Sequence, residues 1–167
     1  MNRTMQVSDS VVIQAEAETI WNQVADPTQM PRWSPENTGA VGPEGGRPLH
    51  DSEVFDGTNH RGRARWITQC VVTESVPGKS FAFEVRKIGP RSPILRGGIA
   101  RWAYDFEEVD GGTRVTETWT DQRTKWPDWL AGVFDRAVTG GKPFSDFQRK
   151  NIQRTLTTMK AEFEQAA

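Results

Sequence analysis

Of the side chains in this sequence that could move a proton, the best candidates are Tyr104, Glu117 and His60. Glu117 stands two residues before Trp119, so on an extended chain both point to one side. A carboxyl on an aromatic face is costly to ionise unless it is paired, and groups of that kind recur where a displaced pKa is useful. The alternatives are a position near the strand end or an arginine partner. Tyr104 alternates with Trp102 and Phe106 and carries a hydroxyl that must find a partner in dry surroundings. His60 lies in a polar, glycine-bearing stretch read as a loop, and its ordinary pKa suits acid-base work. A lone loop histidine is, however, ordinarily just solvated. Other chemistries lack their residues. No nucleophile elbow, phosphate loop or zincin pattern occurs, and the glycines of 37–47 lack the G-x-G-x-x-G spacing of a dinucleotide site. His50 with Asp51, Glu53 and Asp56 has no ligand spacing, so neither a metal nor a cofactor is expected. Cys70 is the one cysteine, which excludes a disulfide or a zinc cluster within the chain and reads as a small core residue.

The elements that must position these groups are mostly strands. Alternation marks strands over 5–14, 63–75, 79–87, 99–109 and 113–123, with a shorter one over 52–56 and a fragment within 37–47. Loops are expected over 57–62 and 89–98. Asp110-Gly111-Gly112 reads as a hairpin turn. Two short helices follow the first strand. One covers 16–25 through Ala17, Ile20, Trp21 and Val24, and a second opens at Asp26-Pro27. A helix over 127–138 precedes a long one over 145–163. The last helix carries Ile152, Leu156, Met159 and Phe163 as one apolar stripe. Ser145 and Gln148 spell a capping box, with Phe144 as staple.

Mean hydropathy is only −0.65 and 35% of residues are apolar, yet there are 7 Trp and 8 Phe, so large rings must supply the walls of the interior. The inward strand positions are Trp66, Phe83, Trp102, Tyr104 and Trp119. The opposite strand faces are charged or polar, which describes a half-solvated antiparallel sheet with one face covered by the terminal helix, an α+β arrangement. A net charge of −1 gives no footprint for nucleic acid. No apolar run is long enough to span a bilayer and none resembles a leader, so a cytoplasmic protein of one domain, 1–167, is expected.

The stretches "AETIWNQVAD" at 17–26, "DPTQMPRWSPE" at 26–36 and "RWAYDFEEVDGGTRVTETW" at 101–119, with the closing amphipathic helix, resemble the START-like or helix-grip superfamily, also called SRPBCC or polyketide cyclase/dehydrase-like. The likeness is nearest to its small actinobacterial members. It implies a curved antiparallel sheet wrapped around the long terminal helix and enclosing a hollow. Trp66, Phe83, Trp102, Tyr104 and Trp119 would then line that hollow, with Leu156 and Met159 facing them from the helix and Asn59 adding a polar contact. The expected guest is a hydrophobic small molecule: a lipid, an acyl chain or a polycyclic aromatic. One alternative is an aromatase/cyclase or dehydratase that uses Tyr104, Glu117 or His60 in the same space. Another is an interaction module presenting Trp126, Trp129 and Phe134. The block 125–141 departs from the usual pattern and is either a lid or a helical preface.

Overall fold

A computed structural model describes residues 3–166. The strands are β1 Gln6–Ile13, β2 Asn37–Val41, β3 Val54–Arg61, β4 Ala64–Val76, β5 Ser80–Gly89, β6 Leu95–Val109 and β7 Gly112–Asp121. They form a seven-stranded sheet in the order β1-β7-β6-β5-β4-β3-β2, antiparallel at every pairing. From β2 to β7 each strand lies beside its successor, the short-connection arrangement that hairpin turns enforce. Only β1 is displaced, crossing to the far edge to pair with β7. Register shifts at Gln69/Cys70 and Val72/Glu74 on β4, and at Val85/Lys87 on β5, mark bulges. Bulges bend and twist a strand, and here they curl the sheet into a half-barrel.

Two segments read as loops are strand instead. Asn59 and His60 lie on β3, opposite Trp66 and Arg65 of β4. β6 begins at Leu95, which pairs with Ile88. Local composition disfavours a strand at both places, but a long neighbour with free backbone groups overrides weak propensity.

Helix α1, Ala17–Val24, buries Ala17, Ile20, Trp21 and Val24. Trp21 Nε1 donates to the Ser80 carbonyl at 2.9 Å, pinning this helix to the start of β5. A 3-10 helix follows at Pro27–Arg32, capped by Asp26, whose carboxylate accepts from the Thr28 amide at 3.0 Å. Helix α2 is Asp128–Thr139 and ends at Gly140, whose φ of 71° is the left-handed cap glycine tolerates. Helix α3, Phe144–Gln165, crosses the concave face.

The capping box expected at Ser145 and Gln148 does not form. Pro143 precedes the first helical residue and has no capping side chain, and Gln148 is buried. Proline at this point has φ −57°, so the chain enters the helix without needing a hydroxyl to hold its first turn.

Ile152, Leu156, Met159 and Phe163 are buried as one stripe. They pack with Ile13, Ile20, Phe81 and Val115 in a filled core, and Phe163 stacks on Trp33 at 6.0 Å between ring centroids. The solid core thus lies under α1 and the C-terminal half of α3. The N-terminal half of α3 lies over a hollow.

Candidate functional site

The hollow has a volume of about 770 Å³. Its walls come from the concave faces of β3 to β7, from the first half of α3 and from the inner side of α2. Cross-strand pairing sets its rings in rows. Phe83 of β5 faces Trp102 of β6, which faces Trp119 of β7. The next row runs from Phe81 through Tyr104 to Glu117. Directly opposed residues share a face of the sheet, so the first row is a continuous strip of wall, while in the second Tyr104 and Glu117 border the hollow and Phe81 lies in the filled core.

Glu117 is only 2% exposed. Its Oε1 accepts a 2.9 Å hydrogen bond from the Tyr104 hydroxyl, and its Oε2 has no partner among the described residues. Burial makes the carboxylate form expensive, and the tyrosine bond only partly offsets that, so the carboxyl is pushed up to about 8. Glu117 therefore keeps its proton at neutrality. Burial and the adjacent carboxyl push the Tyr104 phenol well above its ordinary value, so it remains a donor. Trp119, 1% exposed, also borders the hollow, and its Nε1 has no partner among the described residues.

From α3 the hollow meets Phe144, Gln148, Asn151 and Thr155. These fall at i, i+4, i+7 and i+11, one helical face. Asn151 Nδ2 donates to Gln148 Oε1 at 3.4 Å. Leu156 and Met159 are buried in the filled core and do not border the hollow. The helical face they occupy packs on β1, while the adjoining polar face turns to the cavity.

The other expected residues divide. Trp66, Phe83, Trp102, Tyr104, Glu117 and Trp119 all line the hollow. Asn59 lines it too, its amide bonded to the Gly57 carbonyl and Thr68 Oγ1, each at 3.3 Å. His60, next along the strand, is exposed and does not border the hollow. Period-two alternation separates it from Asn59.

Two arginines also belong to the site. Arg123 is buried and gives hydrogen bonds to Asp121 Oδ1 at 3.0 Å and Oδ2 at 2.9 Å, and to Asp135 Oδ1 at 2.8 Å. Burial works against its charge, but the two aspartates win and raise its pKa. Arg3 Nε lies 3.1 Å from Asp121 Oδ2, so two cations match two anions. This cluster ties α2 to the end of β7. Arg61 lies over the Phe147 ring at 3.9 Å and donates to Glu36 and to the Val138 carbonyl. Neither role shows in sequence, because both depend on partners from distant elements.

Helix α2 turns a mixed face inward. Ala131, Asp135 and Thr139 are its buried residues, while Trp129 is 72% and Val133 59% exposed. Trp126, Phe134, Ala137 and Val138 border the cavity.

A sheet curled around a terminal helix, with a hollow between them, defines the helix-grip or START-like class. The sequence matches the family model "Polyketide cyclase / dehydrase and lipid transport" over residues 4–164, and the chain belongs to that family. Among solved structures it is similar to a START superfamily protein from Mycobacterium smegmatis, at 14% identity and TM-score 0.68, covering 98% of this chain and 100% of that one. Protein Ms6760 from Mycobacterium smegmatis aligns at 19% identity and TM-score 0.64 over 95% and 90% of the two chains. The di-domain ARO/CYC StfQ from the steffimycin biosynthetic pathway aligns at 15% identity and TM-score 0.67, covering 97% of this chain and 51% of that protein. These likenesses are of fold. A search of curated proteins finds no significant match. Among the described residues, no helix is long and apolar enough to cross a membrane.

Proposed function

We propose that this chain encloses a hydrophobic small molecule, a lipid, an acyl chain or a polycyclic aromatic, between its sheet and α3. The observation that carries this reading is the 770 Å³ hollow walled by Trp66, Phe83, Trp102 and Trp119. Volume and aromatic lining of that order suit a ligand of several rings or a bent chain, with affinity drawn from burial. The family's description, which includes lipid transport, supports the same reading. Native mass spectrometry of the purified protein, followed by organic extraction, tests it. One small molecule recovered from independent preparations, and lost from Trp102→Ala, is the expected result. A protein that emerges empty and binds no polycyclic hydrocarbon overturns it.

A second reading is favoured by one observation, the buried Glu117 carboxyl bonded to Tyr104 inside that hollow, where burial pushes its pKa up to about 8. A carboxyl holding its proton near neutrality can give it to a guest's oxygen as a general acid. StfQ, a structural neighbour, is an ARO/CYC protein by name. On the enzyme reading Glu117→Gln and Tyr104→Phe abolish turnover and spare binding. On the carrier reading neither variant changes the fate of the guest.

A further inference from the structure

The open end of the hollow is marked on β6 by the exposed residues Leu95 to Gly98. Tyr104 stands six residues beyond Gly98, about 20 Å further along the strand. Tyr104 and Glu117 therefore form the inner end, with Trp119, opposite Trp102, one row nearer the opening. Of the polar atoms there, the Tyr104 hydroxyl is used on Glu117 Oε1, while Glu117 Oε2 and Trp119 Nε1 have no partner among the described residues. Glu117 and Trp119 share one face of β7, two residues apart, and are 2% and 1% exposed. Trp119 Nε1 can only donate. In the protonated carboxyl, Oε1 is the acceptor from Tyr104, which leaves the proton on Oε2. Both free groups at the inner end are donors.

The charges sort differently. Four arginines border the hollow. Arg123 is held by Asp121 and Asp135, and Arg61 by Glu36. Arg65 and Arg96 are exposed and lie toward the open end. No unpaired cation faces the inner end among the described residues, so an anion placed there would lose its hydration without a counter-charge.

We propose that the inner end of the cavity is a subsite for an uncharged, hydrogen-bond-accepting oxygen, that of a ketone or quinone, received by Glu117 and Trp119. The guest enters oxygen first and leaves its apolar body against Trp66, Phe83 and Trp102. This assignment rests on the container reading above and gives the guest a chemical class and a direction.

Equilibrium dialysis with three matched probes tests it: 9-fluorenone, fluorene and fluorene-9-carboxylate. A hydrocarbon leaves two buried donors unpaired, so fluorenone is expected to bind about tenfold more tightly than fluorene, and the carboxylate more weakly than fluorenone. Trp119→Phe keeps a ring and removes the N–H. It should shrink the ketone preference about threefold and leave fluorene affinity unchanged. Glu117→Leu should do the same, whereas Glu117→Gln, which still donates, should retain the preference. Equal affinity for fluorenone and fluorene overturns the subsite and leaves the container intact. Failure of all three probes to bind overturns both. A preference that survives Trp119→Phe in full overturns the assignment, and that variant suffices if Glu117→Leu does not fold.

Discussion

Tyr104 and Glu117 stand directly opposite each other in the β6–β7 ladder, and the phenol donates to Oε1 of the carboxyl across 2.9 Å. The pair is buried, so among the described residues the tyrosine is the one side chain bonded to the carboxyl, and it steadies it without supplying charge. The result is an acid that stays neutral where most glutamates ionise.

Stability should therefore fall as pH rises. The unfolded chain's Glu117 ionises near its ordinary 4.5, while the folded one holds its proton to about 8. Below the lower value both states are protonated and the residue is neutral in its effect. Between the two values the unfolded chain binds fewer protons, so each pH unit costs the fold about 1.4 kcal/mol, or roughly 3 kcal/mol by neutrality. Glu117→Gln should flatten that decline. Urea unfolding between pH 5 and 9 measures it, and parallel slopes for the two proteins would contradict the buried, neutral acid. Tyr104 is its close titratable neighbour, Asp9 lies across the β1–β7 ladder, exposed and bonded to Gln153, and Arg123 is already paired.

Arg123→Met should destabilise by about 3–5 kcal/mol, because it strands Asp135 and weakens the hold on Asp121. Adding Asp135→Asn should restore a good part of that loss. Denaturant midpoints for the single and double variants give the comparison. No rescue would mean that the arginine acts through its stacking on Trp126, Phe134 and Phe144 alone.

The orientation of α2 yields a paired test. Trp129→Ser, at an exposed position, should change stability by no more than about 0.5 kcal/mol. Ala131→Leu, at a fully buried one, should cost about 1–3 kcal/mol through overpacking. Thermal melts of the two variants decide, and the opposite ranking would require the helix to be turned over.

Cys70 should be inert in the folded protein. Its thiol is buried and burial pushes it up to about 12, so almost no thiolate exists at neutrality. Labelling with a thiol reagent should proceed only at the rate of opening, and rapid labelling of the native protein would refute the placement.

Much of this molecule was readable before its coordinates. Period-two alternation placed Phe83, Trp102, Tyr104 and Trp119 on one face, and the pairing kept them there. The turn glycines divided most of the strands correctly. His60 and Asn59 were read together because a loop imposes no alternation, and once β3 proved to be a strand they parted to opposite faces. Leu156 and Met159 were assigned to the wall because an apolar stripe locates the buried side of a helix but not which part of the interior it meets. Gln148, Asn151 and Thr155 carried a faint signal, since they continue the line from Phe144 to Met159 at helical spacing. The burial of Asp135 on α2 had no local sign. Its carboxylate is bonded to Arg123, a partner on another segment that helical periodicity does not reveal.

The stacking of Phe163 on Trp33 has a mechanical corollary. The last helix is rooted at one end in tightly fitted rings; at the other, Phe144 lies 5.5 Å from the Trp119 ring while Gln148, Asn151 and Thr155 face open space. A rod held more firmly at its base moves as a tongue does, about its root. Admission of a guest would then lift the Phe144 tip while the Phe163 base stays still, and amide exchange should grade from slow to fast along this single helix.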